Sequence, residues 1–156
     1  MKGNADVIAV LNSLLADEFT AIHTYILHAE MCENWGYKRV AGLIRKGAIE
    51  EMRHAESHIE RILFFDGAPE VYTLERMKIG DNVRALLETQ LGMERGAIAA
   101  YNKAIKTAEA AGDAGSRELF EHILKDEERH ELFLESQLEM IVTVGIANYL
   151  SEQMKE

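Results

Sequence analysis

Apolar residues recur at intervals of three and four along four long stretches of the chain. The first runs Val7, Leu11, Leu14, Ala21, Ile22, Ala29, and the second Val40, Ile44, Ala48, Ala55, Ile59, Ile62. The third runs Val83, Leu87, Leu91, Ile98, Ile105, Ala108, and the fourth Phe120, Ile123, Leu124, Leu134, Leu138, Ile141. This is the one-face repeat of an amphipathic helix. No sustained alternation beside hairpin turn residues points to strands. Helix-stopping residues separate the stretches: Gly36, Gly67-Ala68-Pro69, Gly112-Asp113-Ala114-Gly115 and Gly145. The pattern predicts helices over about 4–35, 38–66, 82–111, 115–144 and 146–154. The first and third breaks are short and join antiparallel neighbours, whereas the link from about Gly67 to Asp81 is long. The expected fold is all-α, a four-helix bundle with one long crossover between helices 2 and 3 and a short fifth C-terminal helix. Apolar residues in the crossover (Val71, Tyr72, Leu74, Met77, Ile79) are expected to pack along the bundle.

A length of 156 residues suits a single domain over 1–156. Lys and Arg number 17 against 27 Asp and Glu, a net charge of −10, which opposes nucleic-acid binding and suits a cationic partner. The single cysteine, Cys32, excludes an intramolecular disulfide and any Cys-rich metal module within one chain. With no apolar run of signal-peptide or membrane-span length, a cytoplasmic protein without membrane attachment is expected.

Polar residues interrupt each apolar stripe near its middle. They are Glu18 in the first, Glu51 with His54 in the second, Glu94 in the third, and Glu127 with His130 in the fourth. A lone buried carboxylate normally takes up a proton rather than stay charged in an apolar interior. Four together call for cations, and two divalent ions balance them while the imidazoles stay neutral. Carboxylate and imidazole ligands favour iron or manganese, with zinc also able to bind them. The set is duplicated: Glu18, Tyr25, Glu51, Arg53 and His54 recur at an offset of 76 residues as Glu94, Tyr101, Glu127, Arg129 and His130. Residues i and i+3 share a helix face, so each Glu-x-x-His can hold one metal while the second carboxylate oxygen reaches another.

One Glu from each of two helices plus Glu-x-x-His from each of two others is the pattern of ferritin-like di-iron proteins. More closely, the chain resembles the bacterioferritins. The likeness includes Met1-Lys2-Gly3, Asn34-Trp35-Gly36, Glu51-Met52-Arg53-His54-Ala55, Ile59-Glu60-Arg61-Ile62-Leu63-Phe64, Asp126-Glu127-Glu128-Arg129-His130 and the Gly145 to Tyr149-Leu150 tail. The resemblance implies a ferroxidase centre in which Glu18 with His54 and Glu94 with His130 are terminal ligands and Glu51 and Glu127 bridge. It implies oxidation of Fe2+ to Fe3+ by dioxygen or hydrogen peroxide. It also implies iron storage and detoxification by deposition of ferric mineral in a hollow homo-oligomer of twenty-four subunits built from dimers, with a ferredoxin supplying electrons for iron release.

Met52 stands where the repeat fails, since its counterpart is Glu128. It is read either as a packing residue at a subunit contact or, by the resemblance, as an axial ligand of b-type haem at the dimer interface. Tyr25 and Tyr101 are placed to orient a ligand carboxylate, with electron donation an alternative for Tyr25. Glu50 lies one turn from Lys46; some bacterioferritins have a His and an acid at these positions as an inner iron site, and Lys46 speaks against that site here. A solvated Lys46–Glu50 pair is expected instead. His58 is read as a core histidine or a partner of a ligand, and His23, His28 and His122 as surface or interface residues. Met31, Met93 and Met140 are expected in the core, and Cys32 and Trp35 as packing residues. Three further functions compete: a rubrerythrin-like di-iron peroxidase, whose usual four-Cys iron site a single Cys cannot build; a larger di-iron oxygenase or reductase, for whose substrate pocket 156 residues leave little room; and a haem-holding subunit of a mixed shell, against which the complete six-ligand set argues.

Overall fold

A computed structural model describes residues 1–156. It contains α1 (Ala5–Asn34), α2 (Lys38–Phe64), α3 (Val83–Ala110), α4 (Ala114–Val144) and α5 (Ile146–Gln153), and no strand. The helix ends fall within two residues of those expected from the sequence. Three of the starts are capped by side chains, as chain-entry residues of this type usually do. Asn4 accepts from the backbone N–H of Asp6 and Val7, Asn82 from Ala85, and Asp113 from Ser116. Gly36 and Gly112 leave α1 and α3 with φ of 87° and 67°, a left-handed turn that reverses the chain within three residues. The result is two antiparallel hairpins, α1 with α2 and α3 with α4, joined by the long crossover into a four-helix bundle that α5 closes at one end.

The apolar stripes meet in two clusters rather than one. The first gathers Tyr25, Ile44, Leu87, Leu134 and, from α5, Tyr149; the second gathers Leu11, Leu15, Ile62, Tyr101 and Phe120. Between them lie the buried side chains of Glu18, Glu51, His54, Glu94 and Glu127. A polar layer thus crosses the bundle and divides its core.

The crossover departs from expectation. Val71, Tyr72, Leu74 and Ile79 are exposed, with Tyr72 at 81%. Polar contacts hold this segment instead. Asn12 brackets it through Ala68 O (3.2 Å) and the Glu70 N–H (2.8 Å), the Thr20 hydroxyl accepts from the Glu75 N–H (3.0 Å), and His28 Nε2–H donates to Ile79 O (2.8 Å). A segment without secondary structure must find partners for its backbone groups, and side chains of α1 supply them. His28 is therefore not a surface residue: it is buried, and its Nδ1 accepts from Gln90 (2.9 Å), linking α1, the crossover and α3. Met140 is exposed rather than core, whereas Met31 and Met93 pack against the first cluster. Cys32 is buried and Trp35 packs beside it. No helix is long and apolar enough to cross a membrane.

Burial holds His28 below its ordinary pKa of 6.5, because a charged ring is poorly solvated there and Nδ1 is already an acceptor. The unfolded chain binds the proton first as pH falls, so this contribution to stability is full above pH 6.5 and is lost below it. His28→Gln is expected to flatten the acid limb of stability against pH, read from urea unfolding of both proteins on either side of pH 6.5.

Candidate metal centre

Each hairpin delivers half of the centre. In α1 and α3 a single carboxylate, Glu18 or Glu94, points inward from mid-helix. In α2 and α4 the i, i+3 spacing stacks Glu51 with His54 and Glu127 with His130 on the inner face. All six side chains come together. His54 Nδ1 lies 3.1 Å from Glu51 Oε2, 3.0 Å from Glu127 Oε1 and 3.7 Å from Glu18 Oε1. His130 Nδ1 repeats this with Glu51 Oε1 at 3.1 Å, Glu127 Oε2 at 3.3 Å and Glu94 Oε1 at 3.7 Å. Two metal-sized groups result, Glu18–Glu51–His54–Glu127 and Glu51–Glu94–Glu127–His130, each with ligand atoms within 4.8 Å of one another. Glu51 and Glu127 belong to both, one carboxylate oxygen facing each imidazole. Glu51 Oε1 and both oxygens of Glu127 are buried without a hydrogen-bond partner. Buried acceptors left this way are costly unless a cation meets them. The donor set therefore fits a pair of divalent ions.

Electrostatics in the metal-free protein point the same way. Burial raises Glu18 and Glu94 well above the usual carboxylate range, and the neighbouring acids raise them further. Burial also acts on Glu51 and Glu127, yet close partners hold both below it, Glu18 and the two imidazoles beside Glu51, and the two imidazoles and Glu94 beside Glu127. The imidazoles resist burial and are raised by the carboxylates around them.

The surroundings fix each ligand's direction. Tyr25 donates to Glu94 and Tyr101 donates to Glu18. The pairing is crossed: each tyrosine serves the carboxylate of the other hairpin, not the one on its own helix. His58 is buried, and its Nε2 donates to the Tyr101 oxygen at 2.6 Å; burial pushes its pKa down to about 3, so the ring is neutral. The outer nitrogens of the candidate ligands are also taken. His54 Nε2–H donates to Asp126 Oδ2 at 3.0 Å, and His130 Nε2–H donates to Glu50. Such bonds select the tautomer that leaves Nδ1 free for a metal. Arg129 joins the two acids, reaching Asp126 at 3.0 Å and Glu50 at 3.3 Å. Glu50 therefore pairs with His130 and Arg129, not with the exposed Lys46. The repeat carries a signal for Asp126 as well: an acid precedes each histidine by four residues, at 50 and 126. Met52 lies outside this centre, 44% exposed. His23 and His122 are exposed as expected.

A cavity of about 300 Å³ reaches the centre between α1 and α3, with Glu18, Glu94, Tyr25 and Tyr101 in its wall. The half-buried Asp17 and the exposed Glu75 also line it, and the proximity of Glu75 adds to the effect of burial in pushing Asp17 up to about 6. An acidic approach of this kind concentrates cations.

Residues 8–144 match the ferritin-like domain. The chain is 41% identical to the bacterioferritin of Brucella melitensis over 149 residues, covering 96% of this chain and 92% of that one. It is 40% identical to the bacterioferritin of Rhodobacter capsulatus (93% and 90% covered) and 36% identical to that of Streptomyces coelicolor (100% and 93%). The fold and the site define a ferritin-like protein, and the chain belongs, within that class, to the bacterioferritin family.

Asp126→Asn is expected to weaken divalent-metal binding about 10- to 100-fold, because the amide no longer offers His54 a charged partner. Anaerobic titration of the metal-free protein with Co2+ checks this, with the circular-dichroism melt as the folding control.

Proposed function

We propose that this protein stores and detoxifies iron, oxidising Fe2+ to Fe3+ at the six-residue centre and holding the ferric product as mineral in an oligomeric shell. The observation that carries this reading is the pair of ligand groups sharing Glu51 and Glu127. In it Glu18 and His54 hold one ferrous ion, Glu94 and His130 the other, and Glu51 and Glu127 bridge. The iron, as substrate, gives up its electrons to dioxygen or hydrogen peroxide. The protein's part is to hold geometry and charge. Glu18 and Glu94 give up their protons as the ions arrive, Asp126 and Glu50 keep the imidazoles turned inward, and the tyrosine hydroxyls steady the terminal carboxylates.

The whole chain, 1–156, acts as one ferritin-like unit, in the cytoplasm, within an assembly of twenty-four copies built from dimers. On α2, Met52 and Ile49 are both exposed, an apolar pair that suits a subunit contact. The Met52 thioether, one from each of two subunits, would hold a b-type haem there. Haem would supply a path for electrons, drawn from a ferredoxin, to the stored ferric iron.

Anaerobic addition of Fe2+ followed by air is expected to show two rapidly oxidised irons per subunit and then slower mineral growth. Glu18→Ala, Glu94→Ala and His130→Ala are each expected to remove the rapid phase, and its survival in all three rejects the site. Met52→Leu is expected to leave the assembly intact by size-exclusion chromatography while abolishing haem absorbance.

A further inference from the structure

One imidazole near the centre makes no hydrogen bond to any candidate ligand. His58 lies on α2 one turn beyond His54 and is wholly buried. Its Nδ1 has no hydrogen-bond partner, and its only polar contact is the 2.6 Å bond from Nε2–H to the Tyr101 oxygen. Its counterpart in the 76-residue repeat is Leu134, which lies in one apolar cluster with Tyr25. A leucine therefore suits this position of the repeat. Burying an imidazole there, with one nitrogen unpaired, costs stability that a leucine would not.

The bond to Tyr101 accounts for that cost. The His58 and Tyr101 rings lie 17° from parallel with centroids 5.8 Å apart, and Phe120 packs against both at 6.2 and 6.3 Å. A phenol hydroxyl is both acceptor and donor. With Nε2–H directed at its oxygen from one side, the Tyr101 hydroxyl turns its proton to the other, where Glu18 accepts it. His58, Tyr101 and Glu18 thus form a directed chain in which each bond polarises the next. The Tyr25 hydroxyl has Glu94 as its one partner, and no second group fixes its direction.

We propose that His58 is a positioning residue: acting through the Tyr101 hydroxyl, it fixes the direction of the Glu18 carboxylate and so strengthens the hold of Glu18 and His54 on a divalent ion. This rests on the dinuclear reading above and adds to it a residue that governs one of the two ions without touching it. Its effect requires the Tyr101 oxygen, which distinguishes it from a side chain that only fills space.

The test is anaerobic titration of the intact metal-free protein with Co2+, read from visible absorbance, with circular dichroism as the folding control. The unaltered protein is expected to take up two ions per subunit. His58→Leu, which copies Leu134, and Tyr101→Phe are each expected to weaken one of the two about tenfold, with the same change in its absorbance band. The double variant is expected to be no weaker than either single one, because both substitutions break the same chain. Tyr25→Phe is expected to weaken the other ion, so its effect multiplies with that of His58→Leu. His58→Gln, whose amide N–H can reach the Tyr101 oxygen, is expected to bind both ions as the unaltered protein does. His58→Met takes the place of His58→Leu should the leucine impair folding. Unchanged affinity in the folded Leu or Met variant overturns the inference and leaves the dinuclear centre standing. So does a double variant whose loss is the product of the two single losses, or a His58→Gln variant as weak as His58→Leu. Uptake of fewer than two ions per subunit by the unaltered protein overturns the dinuclear reading itself.

Discussion

Four carboxylates packed into the middle of a helical bundle cannot all stay charged without cations among them, and the architecture is arranged around that constraint. In the metal-free protein the titration of the ligands is displaced accordingly. Glu18 and Glu94 are pushed up, Glu51 and Glu127 are held down, and both imidazoles are raised. Glu51 Oε1 and both oxygens of Glu127 lie close to the imidazoles without a well-formed hydrogen bond. Charge balance, not propensity, explains why polar residues occupy inward positions of four otherwise apolar stripes.

The same layer ties the bundle together in a direction that apolar packing does not. Tyr25 of α1 bonds Glu94 of α3, and Tyr101 of α3 bonds Glu18 of α1. On the other side His54 of α2 bonds Asp126 of α4, while His130 and Arg129 of α4 bond Glu50 of α2. The hairpins are thus cross-linked by the groups that orient the centre. The tyrosines serve both layers: Tyr25 lies in one apolar cluster and Tyr101 in the other, each sending its hydroxyl to the centre. Membership in the bacterioferritin family accords with this geometry, since the likeness spans nearly the whole chain.

Much of this was legible in the chain. Glu18, Glu51, His54, Glu94, Glu127 and His130 break the apolar period at matching places in both halves, and a charged residue on a core stripe is informative because burial is expensive. The crossed tyrosine pairing was not legible, since sequence spacing shows which helix face a hydroxyl lies on but not which opposing carboxylate it meets. The Lys46–Glu50 pair failed for a related reason: helical spacing allows it, but His130 and Arg129 arrive from α4 and offer Glu50 partners in a less solvated place. Apolar content says little about how the crossover lies, because the unpaired backbone of a segment without secondary structure governs how it is held, and His28 is buried by serving that backbone.

By itself the sequence determined the four long helices, their order, the long crossover and the six inward polar residues, because helical period and the cost of burying charge are local or additive properties. Tertiary structure alone decided which tyrosine and which outer acid serve each half of the centre. Those choices depend on distances of a few ångström between residues some forty to eighty positions apart, which only the packing of one hairpin on the other sets.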